Sequence, residues 1–511
     1  MGGPNRPAQG GSGMNQRIRS LTVALSLLFL VLFVQATNWQ YFRQEGLASD
    51  PRNNRVSARE FDDRRGPIVT ADGTVVAATE PVSETVNPGS RFDWQRVYPQ
   101  GDLFAHVTGY YTLDYGATQL ERTQNAVLVG KDPAQQLAAV GGIFGGGDPT
   151  GSVHLTLRAD LQRVAKQALG EREGSAVVVD VRTGAVLAMW SWPSFDPNPV
   201  VAHDGDVASA ALAALHDDRR KPLLANAYQE RYMPGSTFKV LTTAIGLERG
   251  GLTLDTVFPE ERAWVPPDTT KPLRNYGGRA CGGTLLEVFR RSCNIPFART
   301  AVELGPALFV DGVDRFGFEQ RIPFDLPASA ASTFGGRPSR FDDALALLAL
   351  HGFGGGDVQV TPLHMAMIAA AVGNGGRMMV PHVIAETRTN TGTVIYRARP
   401  ETWLVPMRAD TAALLTDLMV EVVRNGTASC CMTLKGGIQA AAKTGTAQLN
   451  PEGETERSHA WIMGFAPADA PRVAVAVMLR GVNDEISSST GGRLAGPIAK
   501  RLLDAALSLV P

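Results

Sequence analysis

Ala176-Val177-Val178-Val179-Asp180-Val181, the turn Arg182-Thr183-Gly184, and Ala185-Val186-Leu187-Ala188-Met189 read as a β-hairpin. An apolar run without polar alternation belongs to a strand buried on both faces, and the Thr-Gly step supplies the reversal. Near the other end of the chain, Ala460-Trp461-Ile462-Met463-Gly464-Phe465 and Val473-Ala474-Val475-Ala476-Val477-Met478 have the same texture. A helical segment, Asp160 to Leu169, precedes the hairpin, and Ala495 to Val510 carries helical apolar spacing after the last strand. Between them, roughly 205 to 430, the chain is helix-rich with irregular connections. Strands at both ends with helices between predict an α+β fold, one sheet assembled from distant segments and flanked by helices.

Outward toward the N-terminus, residues 40 to about 150 form a smaller module. Its short strand-like pieces, Pro67-Ile68-Val69-Thr70 and Thr74-Val75-Val76-Ala77, are separated by the turn former Asp72-Gly73. The cluster Gly141 to Gly147 followed by Asp148-Pro149 marks the boundary. Met1 to Gly13, rich in Gly and Pro, reads as disordered. Ile18 to Ala36 is a 19-residue, mostly apolar stretch, close to the length that crosses a bilayer as a helix. Arg6, Arg17 and Arg19 precede its apolar run Leu21 to Val34 and the first acid is Glu45, which keeps the N-terminus cytoplasmic and puts Trp39 and Tyr41 at the outer interface. Val34-Gln35-Ala36 also fits a cleavage position, so a removed signal peptide is the alternative. Either way, everything after residue 40 is exported. The expected division is 1–17 cytoplasmic tail, 18–37 membrane anchor, 38–150 N-terminal module and 151–511 catalytic domain.

The 511 residues are 44% hydrophobic and 19% charged with a formal net charge of -1, ordinary globular values that give no support to nucleic-acid binding. Eight histidines show no metal-binding spacing, and neither metal nor cofactor is expected. Export permits disulfides. Cys281 and Cys293, 12 residues apart, could pair or stay free. Cys430 and Cys431 are adjacent, where a mutual bond needs a tight ring, so free thiols are expected.

Three elements carry chemistry. Ser236-Thr237-Phe238-Lys239 follows Met233-Pro234-Gly235 and leads into Val240-Leu241-Thr242-Thr243. Pro-Gly ends whatever precedes it, so Ser236 falls in a first helical turn with Lys239 one turn along on the same face. A serine alcohol needs a base, and a lysine serves once burial and a neighbouring cation favour its neutral amine. With 23 serines and eight lysines in the chain, about 0.4 such matches arise by chance, so the motif alone proves little. Ser292-Cys293-Asn294 lies 56 residues downstream of Ser236. Its hydroxyl can relay a proton and its amide can hold a substrate amide. Lys443-Thr444-Gly445-Thr446 follows three alanines. Small residues suit a strand that a peptide approaches closely, Lys443 adds positive potential, and both threonine hydroxyls can bind a carboxylate. Taken singly, each could be a loop or a solvated turn; the ordered set S-x-x-K, S-x-N, K-T-G is much stronger.

With these residues the chain resembles the class B penicillin-binding proteins, most closely the penicillin-binding protein A group of actinobacteria. Similar segments extend beyond the three motifs: Asp50-Pro51-Arg52-Asn53-Asn54-Arg55, Arg65-Gly66-Pro67-Ile68, Arg96-Val97-Tyr98-Pro99, Pro193-Ser194-Phe195-Asp196-Pro197-Asn198, Asn275-Tyr276-Gly277-Gly278, Val360-Thr361-Pro362-Leu363, Asn374-Gly375-Gly376 and His459-Ala460-Trp461. The resemblance implies the penicillin-binding/serine β-lactamase-like transpeptidase fold. That fold is a five-stranded antiparallel sheet flanked by helices, plus a helical subdomain, an N-terminal pedestal and a single transmembrane helix. It also implies a serine D,D-transpeptidase that cross-links peptidoglycan stem peptides ending in D-Ala-D-Ala and is acylated by β-lactam antibiotics. By that analogy Ser236 is the nucleophile, Lys239 its base, Ser292 the proton shuttle and Asn294 the group orienting the donor. Lys443, Thr444, Gly445 and Thr446 form the carboxylate-binding strand, and the N–H groups of Ser236 and Thr446 the oxyanion hole. A SEDS-type glycosyltransferase is the implied membrane partner, because no glycosyltransferase domain fits between anchor and boundary.

Other readings share the motifs. A class A β-lactamase needs a glutamate to position water, and Leu326 to Phe341 contains neither Asp nor Glu. A D,D-carboxypeptidase uses water as acceptor and is poorly separated by primary structure. A β-lactam sensor or scaffold that has lost turnover would be expected to have lost motif residues, and all are intact here.

Overall fold

The computed structural model describes residues 12–38, 61–85, 87–140, 148–450 and 457–509. Residues 1–11, Trp39, Tyr41, the segment 50–55 and the glycine cluster 141–147 lie outside them. Helix α1 (Ser12–Thr37) contains one stretch, Ile18–Thr37, long and apolar enough to cross a bilayer.

Strands β1 (Ile68–Val69), β2 (Val75–Pro81) and β3 (Trp94–Val97) follow, then β4 (Gly151–Leu155), which pairs parallel with β1. Helix α2 (Ala159–Leu169) leads to β5 (Gly174–Asp180) and β6 (Val186–Trp192). A helical stretch comes next: α3 (Lys239–Arg249), α4 (Leu285–Arg291), α5 (Ile295–Asp314) and α6 (Pro362–Gly373). The chain ends with β7 (Ile384–Thr389), β8 (Val394–Arg397), α7 (Ala409–Asn425), β9 (Ala441–Gln448), β10 (Ser458–Ala466), β11 (Val473–Leu479) and α8 (Gly491–Leu509).

The expected hairpin is present as β5 and β6, and its distant partners complete one antiparallel sheet in the order β9–β10–β11–β5–β6. Nearly every side chain of β5, β6, β10 and β11 is buried, which is why these strands show no polar alternation. Helices α2 and α8 pack on each other and on the sheet, and α6 packs on it with α7. Helix α6 is buried from Pro362 to Val372, the expected setting for a helix apolar on all sides. Only β9 and β6 are edge strands, and β9 faces the turn that carries Ser236.

A second sheet runs β8–β7–β4–β1–β2–β3, so strands from either side of residue 150, two of them from 384–397, share one set of ladders. Behind it, the buried Glu121 receives Arg65 (2.8 Å), Arg96 (2.7 Å) and the Tyr98 hydroxyl (3.2 Å). Burial alone would raise the Glu121 pKa, and Arg96 and Arg65 outweigh it and hold the carboxyl below its ordinary value.

Cys430 and Cys431, expected as free thiols, are bonded to each other. They lie in the reversal after α7, where the N–H groups of Cys431 and Met432 both donate to the Ala428 carbonyl (3.0 and 3.2 Å). That tight turn accommodates a ring spanning one peptide bond.

Candidate active site

Pro234 and Gly235 do end the preceding chain, and the residues after them form a 3-10 turn (Gly235–Phe238) that runs directly into α3. Gly235 has φ +53°, and a Cβ there would lie 2.7 Å from the Thr446 carbonyl oxygen. Only glycine permits both the left-handed backbone and this approach of the Ser236 turn to β9. Gly445 answers it from the strand, since a Cβ there would lie 2.8 Å from the Pro234 carbonyl oxygen. The Trp461 indole N–H donates to the Met233 carbonyl (3.0 Å). Trp461 is fully buried, so its truncation to alanine would cost about 3–5 kcal/mol and loosen this turn.

Lys239 is the first residue of α3, and its side chain has no exposed surface. Its amine donates to the Ser292 carbonyl (2.8 Å) and to Asn294 Oδ1 (2.8 Å), with Ser292 Oγ at 3.4 Å. The rings of Phe297 and Phe353 stand 5.4 and 5.9 Å away. Burial, and then the neighbouring Lys443, push its pKa well below the ordinary lysine value. Lys443, equally buried, donates to Ser292 Oγ (2.8 Å) and to the Thr444 carbonyl (3.0 Å), and burial lowers its pKa to about 7. Among the described residues neither amine pairs with a carboxylate. Ser292 Oγ therefore sits between two buried nitrogens.

Ser292 takes a left-handed conformation (φ 61°, ψ 41°) as the C-cap of α4, a helix started by a Thr284–Glu287 capping box. Cys281 and Cys293 are bonded, Cα atoms 5.8 Å apart, so α4 is closed into a covalent loop that ends beside Ser292 and Asn294. The sequence left open a bond or two free thiols, and the bond is what the structure has.

On β9, Thr444 is buried and Thr446 half-buried. Thr446 Oγ1 accepts from the Gly491 N–H at the start of α8 (3.4 Å). In a strand, a residue's N–H and C=O point to the same side. The Thr446 carbonyl faces Gly235, so its N–H also faces the Ser236 turn. Two contributors escaped the sequence reading. Thr427 bonds Thr444 hydroxyl to hydroxyl, and nothing in its surroundings signals this. Asn275 was noticed only as part of a segment, although its side chain reaches the Asn294 loop.

Two family models match this chain. The penicillin binding protein transpeptidase domain covers residues 174–504, and the penicillin binding protein A dimerisation domain covers 65–153. A peptidoglycan D,D-transpeptidase PbpA of Mycolicibacterium smegmatis is 37% identical over 507 residues, 97% of this chain and 99% of that protein. Its counterpart in Mycobacterium tuberculosis is 35% identical, covering 98% of this chain and all of its own length (100%). Solved structures of penicillin-binding protein A from M. tuberculosis, as ceftriaxone and penicillin G acyl-enzyme complexes, have TM-scores of 0.80 and 0.78 at 33% identity. They cover 88% and 87% of this chain and 99% and 100% of their own.

Proposed function

The chain belongs to the penicillin-binding protein transpeptidase family, and with that as premise we propose that Ser236 is the acylated nucleophile of a peptidoglycan D,D-transpeptidase. It is a serine-type acyltransferase that cross-links peptidoglycan and binds penicillin. The observation that carries the residue assignment is Ser292 Oγ standing between the buried amines of Lys239 and Lys443.

A neutral lysine amine has two N–H donors and one lone pair. The Ser292 carbonyl and Asn294 Oδ1 can only accept, and they occupy both donors of Lys239. In the proposed acylation its lone pair takes the Ser236 proton, one helical turn back. Ser236 attacks the carbonyl of the penultimate D-Ala in a stem peptide, forms the ester and expels the terminal D-Ala. The N–H groups of Ser236 and Thr446 receive the oxyanion, a term worth about 3 kcal/mol per donor. Ser292, fed by Lys443, returns a proton to the leaving amine. Lys443, Thr444 and Thr446 hold the terminal carboxylate, Gly445 lets the peptide lie close to β9, and Asn294 orients the donor amide. An amine of a neighbouring stem then resolves the ester, and β-lactams trap the same serine.

On this reading residues 1–17 are a cytoplasmic tail, 18–37 the membrane anchor, 38–150 the pedestal and 151–511 the transpeptidase domain, with catalysis on the extracytoplasmic side. The glycan strands come from another protein, for which a SEDS-type glycosyltransferase in the same membrane is the partner we name. Ser236→Ala is expected to abolish covalent labelling by a fluorescent penicillin, read by gel and intact mass. Retained labelling removes Ser236 from the role. With lipid-linked precursor polymer, cross-linked dimers mean transpeptidation, whereas trimmed monomers alone would mean carboxypeptidation.

A further inference from the structure

Asn294 is the N-cap of α5, yet its side chain caps nothing. An N-cap asparagine ordinarily accepts from the N–H of the second or third helical residue, and the second residue here is Pro296, which has none. Here Oδ1 accepts from Lys239 (2.8 Å) and Nδ2 donates to the Arg274 carbonyl (3.1 Å). The first N–H groups of α5 are served instead by a distant residue. Asn275 Oδ1 accepts from the N–H groups of Asn294 (2.8 Å) and Ile295 (3.1 Å). Its Nδ2 donates to the carbonyls of Glu261 (2.8 Å) and Arg279 (3.2 Å).

All four hydrogen-bonding capacities of the Asn275 amide are thereby used, in a residue 5% exposed. Two partners can only donate and two can only accept, so the amide has one permitted orientation. Aspartate cannot donate, leucine can do neither, and glutamine is a methylene too long. The arm it is anchored in is itself braced on α5. Glu261 pairs with Arg299 (2.9 Å), whose guanidinium lies 4.6 Å from the Trp264 ring.

We propose that Asn275 is a positioning residue for acylation: by accepting from the Asn294 and Ile295 N–H groups, it fixes the backbone that aims the Asn294 side chain at Lys239 and the donor peptide. The inference rests on the assignment of Lys239 and Asn294 made above. Without Asn275, the N–H groups of Asn294 and Ile295 lose their acceptor and the Asn294 segment loses its tie to the arm that carries Asn275. With that tie gone, the Asn294 side chain is no longer held toward Lys239 and the cleft.

The test is the rate of acylation by fluorescent penicillin at saturation, measured far below each variant's unfolding midpoint so that only folded enzyme is compared. Asn275→Ala is expected to slow that rate by about tenfold or more. Asn275→Asp keeps the acceptor for both N–H groups and should recover part of the loss, although its carboxylate faces the Glu261 and Arg279 carbonyls. A residue that only held the fold together would lower the midpoint and leave the saturated rate alone. It would also make Asp, repelled by two carbonyls, no better than Ala. Asn275→Ala acylating at the wild-type rate, or Asn275→Asp no faster than Asn275→Ala, overturns the proposal. Should the alanine variant fail to fold, Asn275→Ser decides in its place, because its short hydroxyl cannot reach both N–H groups: a slowed saturated rate supports the proposal, and a wild-type rate overturns it. Labelling that persists in Ser236→Ala would instead strike the underlying assignment, so the two failures are separable.

Discussion

At Glu121, a carboxylate without exposed surface meets Arg65 and Arg96 at salt-bridge distance; at Ser292, two lysine side chains without exposed surface meet only carbonyls, hydroxyls and an amide. Both regions remove ionisable groups from water, and both would be costly if left as isolated charges. In the first, opposite charges compensate, so the Glu121 carboxyl is held below its ordinary value and the cluster joins residues 65, 96 and 121 into one knot. In the second no anion compensates, so burial, and for Lys239 also the neighbouring Lys443, holds both amines below the ordinary lysine value, Lys443 down to about 7. Pairing makes a burial structural. Leaving it unpaired makes it reactive.

The largest effect expected from that contrast belongs to Lys239→Met. The thioether is nearly isosteric and needs no hydrogen bond, so the base disappears while the packing stays. Acylation by fluorescent penicillin should slow by about 10³-fold, the usual range for losing a general base. The unfolding midpoint should hold or rise, because an apolar group suits a buried site better than an amine. A variant that loses stability but keeps its rate would invert the comparison.

Glu121→Gln probes the other region. Arg65 and Arg96 would keep their charges with no anion between them, a loss of about 3–5 kcal/mol for a buried pair broken on one side. The midpoint of thermal or urea unfolding should fall accordingly, whereas the acylation rate of the folded fraction should match wild type. An unchanged midpoint would mean that the cluster contributes nothing to stability.

These two regions also differ in how far the sequence announced them. The sheet was legible because β5, β6, β10 and β11 are buried on both faces, and such strands cannot hide among polar residues. Ser236, Lys239, Ser292, Asn294 and Lys443 could be picked out because the proposed nucleophile, base and relay call for particular residue types within short motifs in a set order. Glu121 could not. Its partners lie 56 and 25 positions away, and no local periodicity marks a glutamate that will be buried. Asn275 and Thr427 were hidden for the same reason: each reaches a segment of the candidate site through a side-chain contact set only by the folded chain. The bond between Cys430 and Cys431 eluded the reading because general disulfide geometry disfavours neighbours, and the local reversal after α7 overrides it.

The narrowest expected effect, a change of slope on one side of neutrality, separates the two burials by proton uptake. An unfolded chain keeps the Lys443 proton up to the ordinary lysine value of 10.5, whereas the folded protein releases it near 7. Between those values unfolding takes up a proton, so this lysine's share of stability rises with pH by ~1.4 kcal/mol per unit and levels off above the unfolded pKa. Lys239 acts in the same direction. Glu121 has its folded pKa below the ordinary 4.5. Its contribution is complete above that value and is lost as pH falls through the folded one. Unfolding midpoints from pH 4 to 10 should therefore show Lys443→Met departing from wild type by a flatter rise on the alkaline side alone. Glu121→Gln should run parallel to wild type there and differ in slope only in acid. A Lys443→Met curve parallel to wild type between pH 7 and 10 would mean that the buried amine keeps its proton in the folded protein. Lys443 would then be a fixed cation beside Ser292 and no longer a proton source matched to the working pH.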